Sequence, residues 1–243
     1  MITQLVYSKR RKQPRVGGNK LYRMLKADFQ IMDIKIGRDK FFELLRREGL
    51  LIKRNKAYHR TTDSNHRFKI YKNLIEGVMA SWSDKIWVSD ITYLRTIDAF
   101  LYLALITDLC SRKIIGADIS ESLGIEGSIR ALEQAMRGKK SLQGAIHHSD
   151  RGIQYCSKIY TELLTSKGMQ ISMSEKGNPY ENAVAERVNG ILKEEFLLSE
   201  IFTSKEEAIK STKEAIKTYN TERLHMSIDY KTPDEKYKEN KVA

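Results

Sequence analysis

Residues 85–117 read KIWVSDITYLRTIDAFLYLALITDLCSRKIIGA. Ile86-Trp87-Val88 leads to Asp90 as a strand that ends in a carboxylate, and Ile91 to Leu94 carries the extended pattern to a turn near Thr96-Ile97-Asp98. Phe100 to Ile106 is an apolar run long enough for a buried strand. Asp108 to Arg112 turns the chain into Lys113 to Ala117. Three strands joined by short turns form an antiparallel meander.

Downstream, the period changes. Glu126 to Met136 puts Ile129, Leu132 and Met136 on one helical face, and residues 144–148 form a strand. Ser157 to Ser166 is a helix closed by Gly168, Met169 to Met173 a strand, and Ala183 to Leu197 a helix. Three strands followed by alternating helix and strand predict an α/β fold, a mixed sheet with helices on both faces. Ser204 to Tyr219 is a helix entered at a Ser204-x-x-Glu207 capping box, and a polar tail follows with Thr232-Pro233.

Upstream, the character is different. Residues 9–15 form a basic run ended by Pro14, expected to be a flexible arm. Leu21, Leu25 and Phe29 recur every fourth residue, and Asp39 to Glu48 forms a second helix stopped by Gly49. Residues 1–80 carry 20 Lys and Arg against 7 Asp and Glu, while residues 81–243 carry 23 against 24. The basic third therefore points to a polyanion, nucleic acid first and an anionic membrane surface second. The expected organisation is a helix-turn-helix-like DNA-binding region at 1–51, a basic connector at 52–80, a catalytic core at 81–203, and a C-terminal helix and tail at 204–243. In the connector, Lys53, Arg54, Lys56 and Arg60 alternate with Tyr58 and His59, a pattern suited to lying along a nucleic-acid backbone. A short helix is expected from Phe68 to Met79.

Composition narrows the classes. No apolar run approaches the roughly 20 residues that span a bilayer, so no membrane partner and a cytoplasmic location are expected. The two cysteines, Cys110 and Cys156, form no Cys-x-x-Cys pair and suit free thiols. No structural zinc is expected from five His in this spacing.

The chemistry centres on carboxylates. His147-His148-Ser149-Asp150-Arg151-Gly152 puts Asp150 where a strand gives way to a turn, and Glu186 follows after 35 intervening residues, inside a helix. Two strand-end aspartates and a helical glutamate can hold divalent ions. Mg²⁺ or Mn²⁺ takes hard oxygen ligands, and two ions roughly 3.5–4 Å apart serve both oxygens of a phosphoryl transfer. Asn182, Asn189 and Lys193 share one helical face with Glu186; Asn182 and Lys193 are candidate DNA contacts, and Lys193 could bind a phosphate. His148 and Arg151 flank Asp150 and could steer phosphate. The loop from Glu175 to Tyr180 is expected to be exposed and mobile.

Several stretches resemble one known family, the second-reading-frame transposases of the insertion-sequence family numbered three, which carry an integrase core of the retroviral-integrase superfamily. They are Trp87-Val88-Ser89-Asp90-Ile91-Thr92-Tyr93, Thr107 to Arg112, His148 to Tyr155, Gly177 to Glu186, Leu192-Lys193-Glu194-Glu195 and Tyr219 to His225, with Arg46 to Leu50 and Thr61 to His66 upstream. The resemblance implies a ribonuclease-H-like fold, with Asp90, Asp150 and Glu186 as the catalytic and metal-binding triad and Lys193 at DNA. It also implies 3′-end cleavage and strand transfer of an insertion sequence. The expected partners are element-end and target DNA, further copies of the chain, and an upstream first-reading-frame protein or its frameshift fusion. Glu181 and Pro179 depart from the family's usual residues. The residues alone also fit a nuclease that only hydrolyses, or a DNA-binding regulator without activity.

Overall fold

A computed structural model describes residues 1–53, 68–175 and 182–240. The chain opens with α1 (Ile2–Lys12), α2 (Gly18–Met24), α3 (Lys26–Ile31) and α4 (Arg38–Arg47). These short helices enclose a core of their own, built from Val6, Val16, Leu21, Leu25, Phe29, Phe41, Leu45 and Leu50. The expected flexible arm is corrected here, because Lys9 to Lys12 form the last turn of α1. Val6 is buried in the core and anchors that helix, and four cations at its C-terminus suit the helix dipole. The expected single helix through Phe29 is two helices meeting at Leu25.

The main sheet follows: β1 (Ile86–Thr96), β2 (Phe100–Asp108) and β3 (Ile114–Ser120), then α5 (Ile125–Met136), β4 (Ile146–Ser149), α6 (Ile153–Cys156), α7 (Lys158–Ser166) and β5 (Gln170–Met173). After it come α8 (Ala183–Glu195), the short β6 (Ile201–Phe202), α9 (Lys205–Thr221) and α10 (Pro233–Glu239). The sheet order is β3-β2-β1-β4-β5, antiparallel among the first three and parallel from β1 to β5. The expected mixed sheet and its meander are present.

Both faces of the sheet are covered. Ala104 and Ile106 pack with Trp87, Ala131, Leu132, Tyr160 and Leu164 beneath α5 and α7. Leu101, Leu103 and Leu105 alternate to the other face and meet Val188, Ile191 and Leu192 of α8 and Ala208, Ala215 and Tyr219 of α9. This explains why β2 reads as a continuous apolar run. α5 lies close on β3, and a Cβ added at Gly116 would stand 2.1 Å from the carbonyl oxygen of Ala131.

Two further expectations are corrected. Residues 68–79 form no helix. The Leu74 N–H donates to Ser172 Oγ at 2.8 Å and the Met173 N–H to the Lys72 carbonyl at 3.4 Å, so the segment runs beside β5. The polar tail holds α10, whose entry is a capping box between Thr232 and Glu235 with Pro233 in the first turn. Its Tyr237 is buried and its hydroxyl donates to Asp84 Oδ2 at 2.5 Å. Cys110 and Cys156 are free and buried.

Candidate active site

β1 has unequal edges. On one side β2 pairs with it from Trp87 to Arg95. On the other, β4 pairs only as far as Ser89 with Ser149, and β6 takes over at Arg95. Between them the edge from Asp90 to Leu94 is left open. Asp90 is therefore interior to a long strand and not at its end, because β2 goes on pairing past it. Asp150 directly follows the last β4 residue. The parallel register thus sets Asp90 and Asp150 side by side, one residue beyond the Ser89–Ser149 pair.

A cavity of about 400 Å³ opens at this gap. Both aspartates line it, with Tyr93, Tyr102, Leu123 and Tyr155. Asp90 is fixed by two donors, the Ile91 N–H to Oδ1 at 2.9 Å and Asn189 Nδ2 to Oδ2 at 2.7 Å. The Gly152 N–H donates to Asp150 Oδ1 at 2.9 Å. Glu186 lies in the first turn of α8 and is exposed.

Asp90 and Glu186 both feel the charge of Asp150. Burial pushes Asp90 up to about 7, and the charges of Asp150 and Glu186 add to it against the Asn189 bond. Glu186 is raised by burial and by Asp150. Among the described residues, no three His, Cys, Asp or Glu side chains are gathered closely enough to hold an ion as they stand. The structure brings the aspartates to one cavity and Glu186 within electrostatic reach, without closing a finished ligand shell.

The other expected residues divide. Lys193 holds its ammonium 4.1 Å from the centre of the Tyr93 ring; burial lowers its pKa and Asp90 pulls it back up. His148 is fully buried, its Nδ1 2.8 Å from Ser172 Oγ. Asn182 is also buried, and its Nδ2 donates to the Ser89 carbonyl at 3.1 Å, tying the start of α8 to β1. Both brace the site from within rather than face an open surface. Arg151 Nε donates to the Ser174 carbonyl at 2.8 Å. Lys53 is exposed on the N-terminal unit, and its carbonyl accepts from Arg15 Nη2 at 2.5 Å. Arg54, Lys56 and Arg60, with the rest of 54–67, and residues 176–181 lie outside the described residues.

The sequence did not single out His147. It is buried behind the site, its Nε2 2.7 Å from Ser89 Oγ and 2.9 Å from the Tyr160 hydroxyl. Burial, with the neighbouring His148, lowers its pKa to about 3. Its inward position on β4 was the one available signal. No helix among the described residues is long and apolar enough to cross a membrane.

The chain is similar to known proteins in sequence and in fold. Two integrase core domain families match, at residues 81–179 and 167–233. An uncharacterized 31 kDa protein of insertion element IS600 from Shigella sonnei is 35% identical over 213 residues, 87% of this chain and 78% of that protein. The transposase for insertion sequence element IS904 of Lactococcus lactis is 39% identical over 169 residues, 68% of this chain and 67% of its own length. Transposase InsF for insertion sequence IS3A of Escherichia coli is 38% identical over 163 residues, 67% of this chain and 57% of its own. Among solved structures, the HTLV-2 integrase catalytic core domain in complex with magnesium superposes with a TM-score of 0.51 at 20% identity, covering 64% of this chain and 97% of that one. A simian T-cell lymphotropic virus intasome gives 0.55 at 18% identity, covering 92% and 71%. These two establish a shared ribonuclease-H-like fold.

Proposed function

The chain belongs to the integrase-core transposases of the insertion-sequence family that includes InsF of IS3, and on that premise we propose that Asp90, Asp150 and Glu186 form the centre at which it cuts and joins DNA. The observation that carries this reading is the open edge of β1. It exposes one aspartate, sets a second beside it by strand register, and leaves room for a phosphodiester.

The residues suit divalent metal. Burial and the neighbouring carboxylates raise Asp90, a cation would relieve that repulsion, and an all-oxygen set matches Mg²⁺ or Mn²⁺. When bound, such ions stabilise the attacking and leaving oxygens of phosphoryl transfer. Asp90 and Asp150 would hold them, with Glu186 completing the set from α8. The Asn189 and Gly152 donors fix the aspartates' orientation before any ligand arrives. Lys193, above Tyr93 at the cavity, would neutralise a backbone phosphate. The basic N-terminal helices would grip DNA beyond the site, with the exposed Lys53 following them. The chain would act as an oligomer on DNA, with or without an upstream-frame product.

The test is incubation of the purified chain with labelled element-end DNA and Mg²⁺ or Mn²⁺. Nicks that expose a 3′-hydroxyl, followed by strand-transfer products, support the proposal. Nicks alone indicate a hydrolytic nuclease, and a gel shift without cleavage indicates a regulator. Cleavage that survives Asp150→Asn would overturn the residue assignment.

A further inference from the structure

Glu195 closes α8, and three parts of the chain meet on it. Arg223, just beyond α9 and only 3% exposed, grips its carboxylate with two parallel bonds, Nε to Oε2 at 2.8 Å and Nη2 to Oε1 at 2.7 Å. Lys20 of α2 reaches the same carboxylate, its Nζ 2.8 Å from Oε1 and 3.0 Å from Oε2. The Glu195 carbonyl accepts from the Arg15 N–H at 3.0 Å. Burial works to raise this carboxyl, yet Arg223 and Lys20 together hold it below its usual value.

The joint extends around this point. Lys12 pairs with Glu222 at 2.6 Å, Asn19 Nδ2 donates to the Tyr230 hydroxyl at 2.9 Å, and the Arg23 guanidinium stacks 3.6 Å over the Tyr230 ring. Thus the basic N-terminal helices dock on the end of α8 and on the segment after α9. The other end of α8 carries Glu186. Nine residue steps along the helix, about 14 Å along the axis, separate the two glutamates. Bidentate, partly buried ion pairs fix direction as well as distance.

We propose that Glu195 is a positioning residue: through Lys20 and Arg15 it fixes the N-terminal helices to the far end of the helix that carries Glu186, and so sets how far from the gripped DNA the cut phosphodiester lies. This rests on the reading of Asp90, Asp150 and Glu186 as the cutting centre and of the N-terminal helices as the DNA grip. It gives a task to the Leu192-Lys193-Glu194-Glu195 and Tyr219 to His225 stretches that metal binding leaves unexplained.

The test maps cuts at nucleotide resolution on element-end DNA with Mg²⁺, using the full chain, Lys20→Met and Lys20→Arg, with melting temperatures alongside. Lys20→Met leaves the Glu195–Arg223 pair in place. Its cuts at the element end should shift and spread over neighbouring phosphodiesters. Lys20→Arg should return them to one position. If Lys20→Met melts well below wild type, Asn19→Ala and Arg23→Ala loosen the same joint elsewhere and should produce the same spread. Variants that all cut the wild-type phosphodiester in the wild-type proportion overturn the proposal. A wild-type chain that binds the DNA and never cuts it overturns the functional reading, and this proposal with it.

Discussion

Asn189 Nδ2 donates to Asp90 Oδ2 at 2.7 Å and so joins the middle of α8 to the open edge of β1. Asn189 is buried, and this bond holds the carboxylate turned toward the cavity. Asn189→Leu removes the donor while keeping a side chain of similar size. Outer hydrogen-bond partners of metal ligands typically contribute about 10–100-fold in affinity or activity. The Mg²⁺ concentration giving half-maximal cleavage should rise by about that factor, and an unchanged Mg²⁺ titration would refute the role.

Metal should stabilise the fold through the same residues. A ligand that binds only the folded chain adds about 2.7 kcal/mol at 100 times its dissociation constant. For a chain of this size that is roughly 5–10 °C of melting temperature. Differential scanning fluorimetry should show this gain with Mn²⁺ for wild type and little of it for Asp150→Asn. Equal gains in both proteins would place the metal elsewhere.

Packing between α5 and β3 leaves no room for a side chain at Gly116. A methyl group there would meet the Ala131 carbonyl, which belongs to the helix backbone and cannot swing away. Gly116→Ala should lower stability by about 1–3 kcal/mol, the usual range for overpacking. Urea unfolding measures it, and a neutral result would mean that α5 moves freely on the sheet.

His225 should make the fold acid-sensitive. Burial first, then the cations Arg223, Lys20, Arg112 and Arg187, depress its pKa to about 2. Unfolded, it titrates near 6.5. Below that value the unfolded chain takes up a proton that the folded chain refuses, so stability is full above pH 6.5 and is lost as pH falls. The slope from this group approaches about 1.4 kcal/mol per pH unit. His225→Gln should flatten the melting profile between pH 6.5 and 5, and a parallel profile would show that other groups set it.

Much of the fold was legible because periodicity reports burial. The apolar run of β2, the helical spacing of α5 and the Ser204 cap each state locally what each segment does. The misreadings occurred where distant partners decide the outcome. Residues 68–79 read as a short helix but are drawn out beside β5, where the Leu74 N–H donates to Ser172 Oγ and the Lys72 carbonyl accepts from the Met173 N–H. Thr232, Pro233 and Glu235 spell the entry of α10, but its surrounding charge reads as a solvated tail.

The sequence by itself determined the order of strands and helices, the uneven charge, and which carboxylates could matter, since each is a property of residue type and spacing. Tertiary structure decided the rest. Asp90 reads as a strand end, yet it lies inside β1, and it is reachable only because β4 stops pairing at Ser89 and β6 begins at Arg95. Asp150 stands beside it by parallel register, which no local pattern encodes. Lys20, Glu195 and Arg223 are far apart along the chain, and only the folded chain closes their charges into one joint.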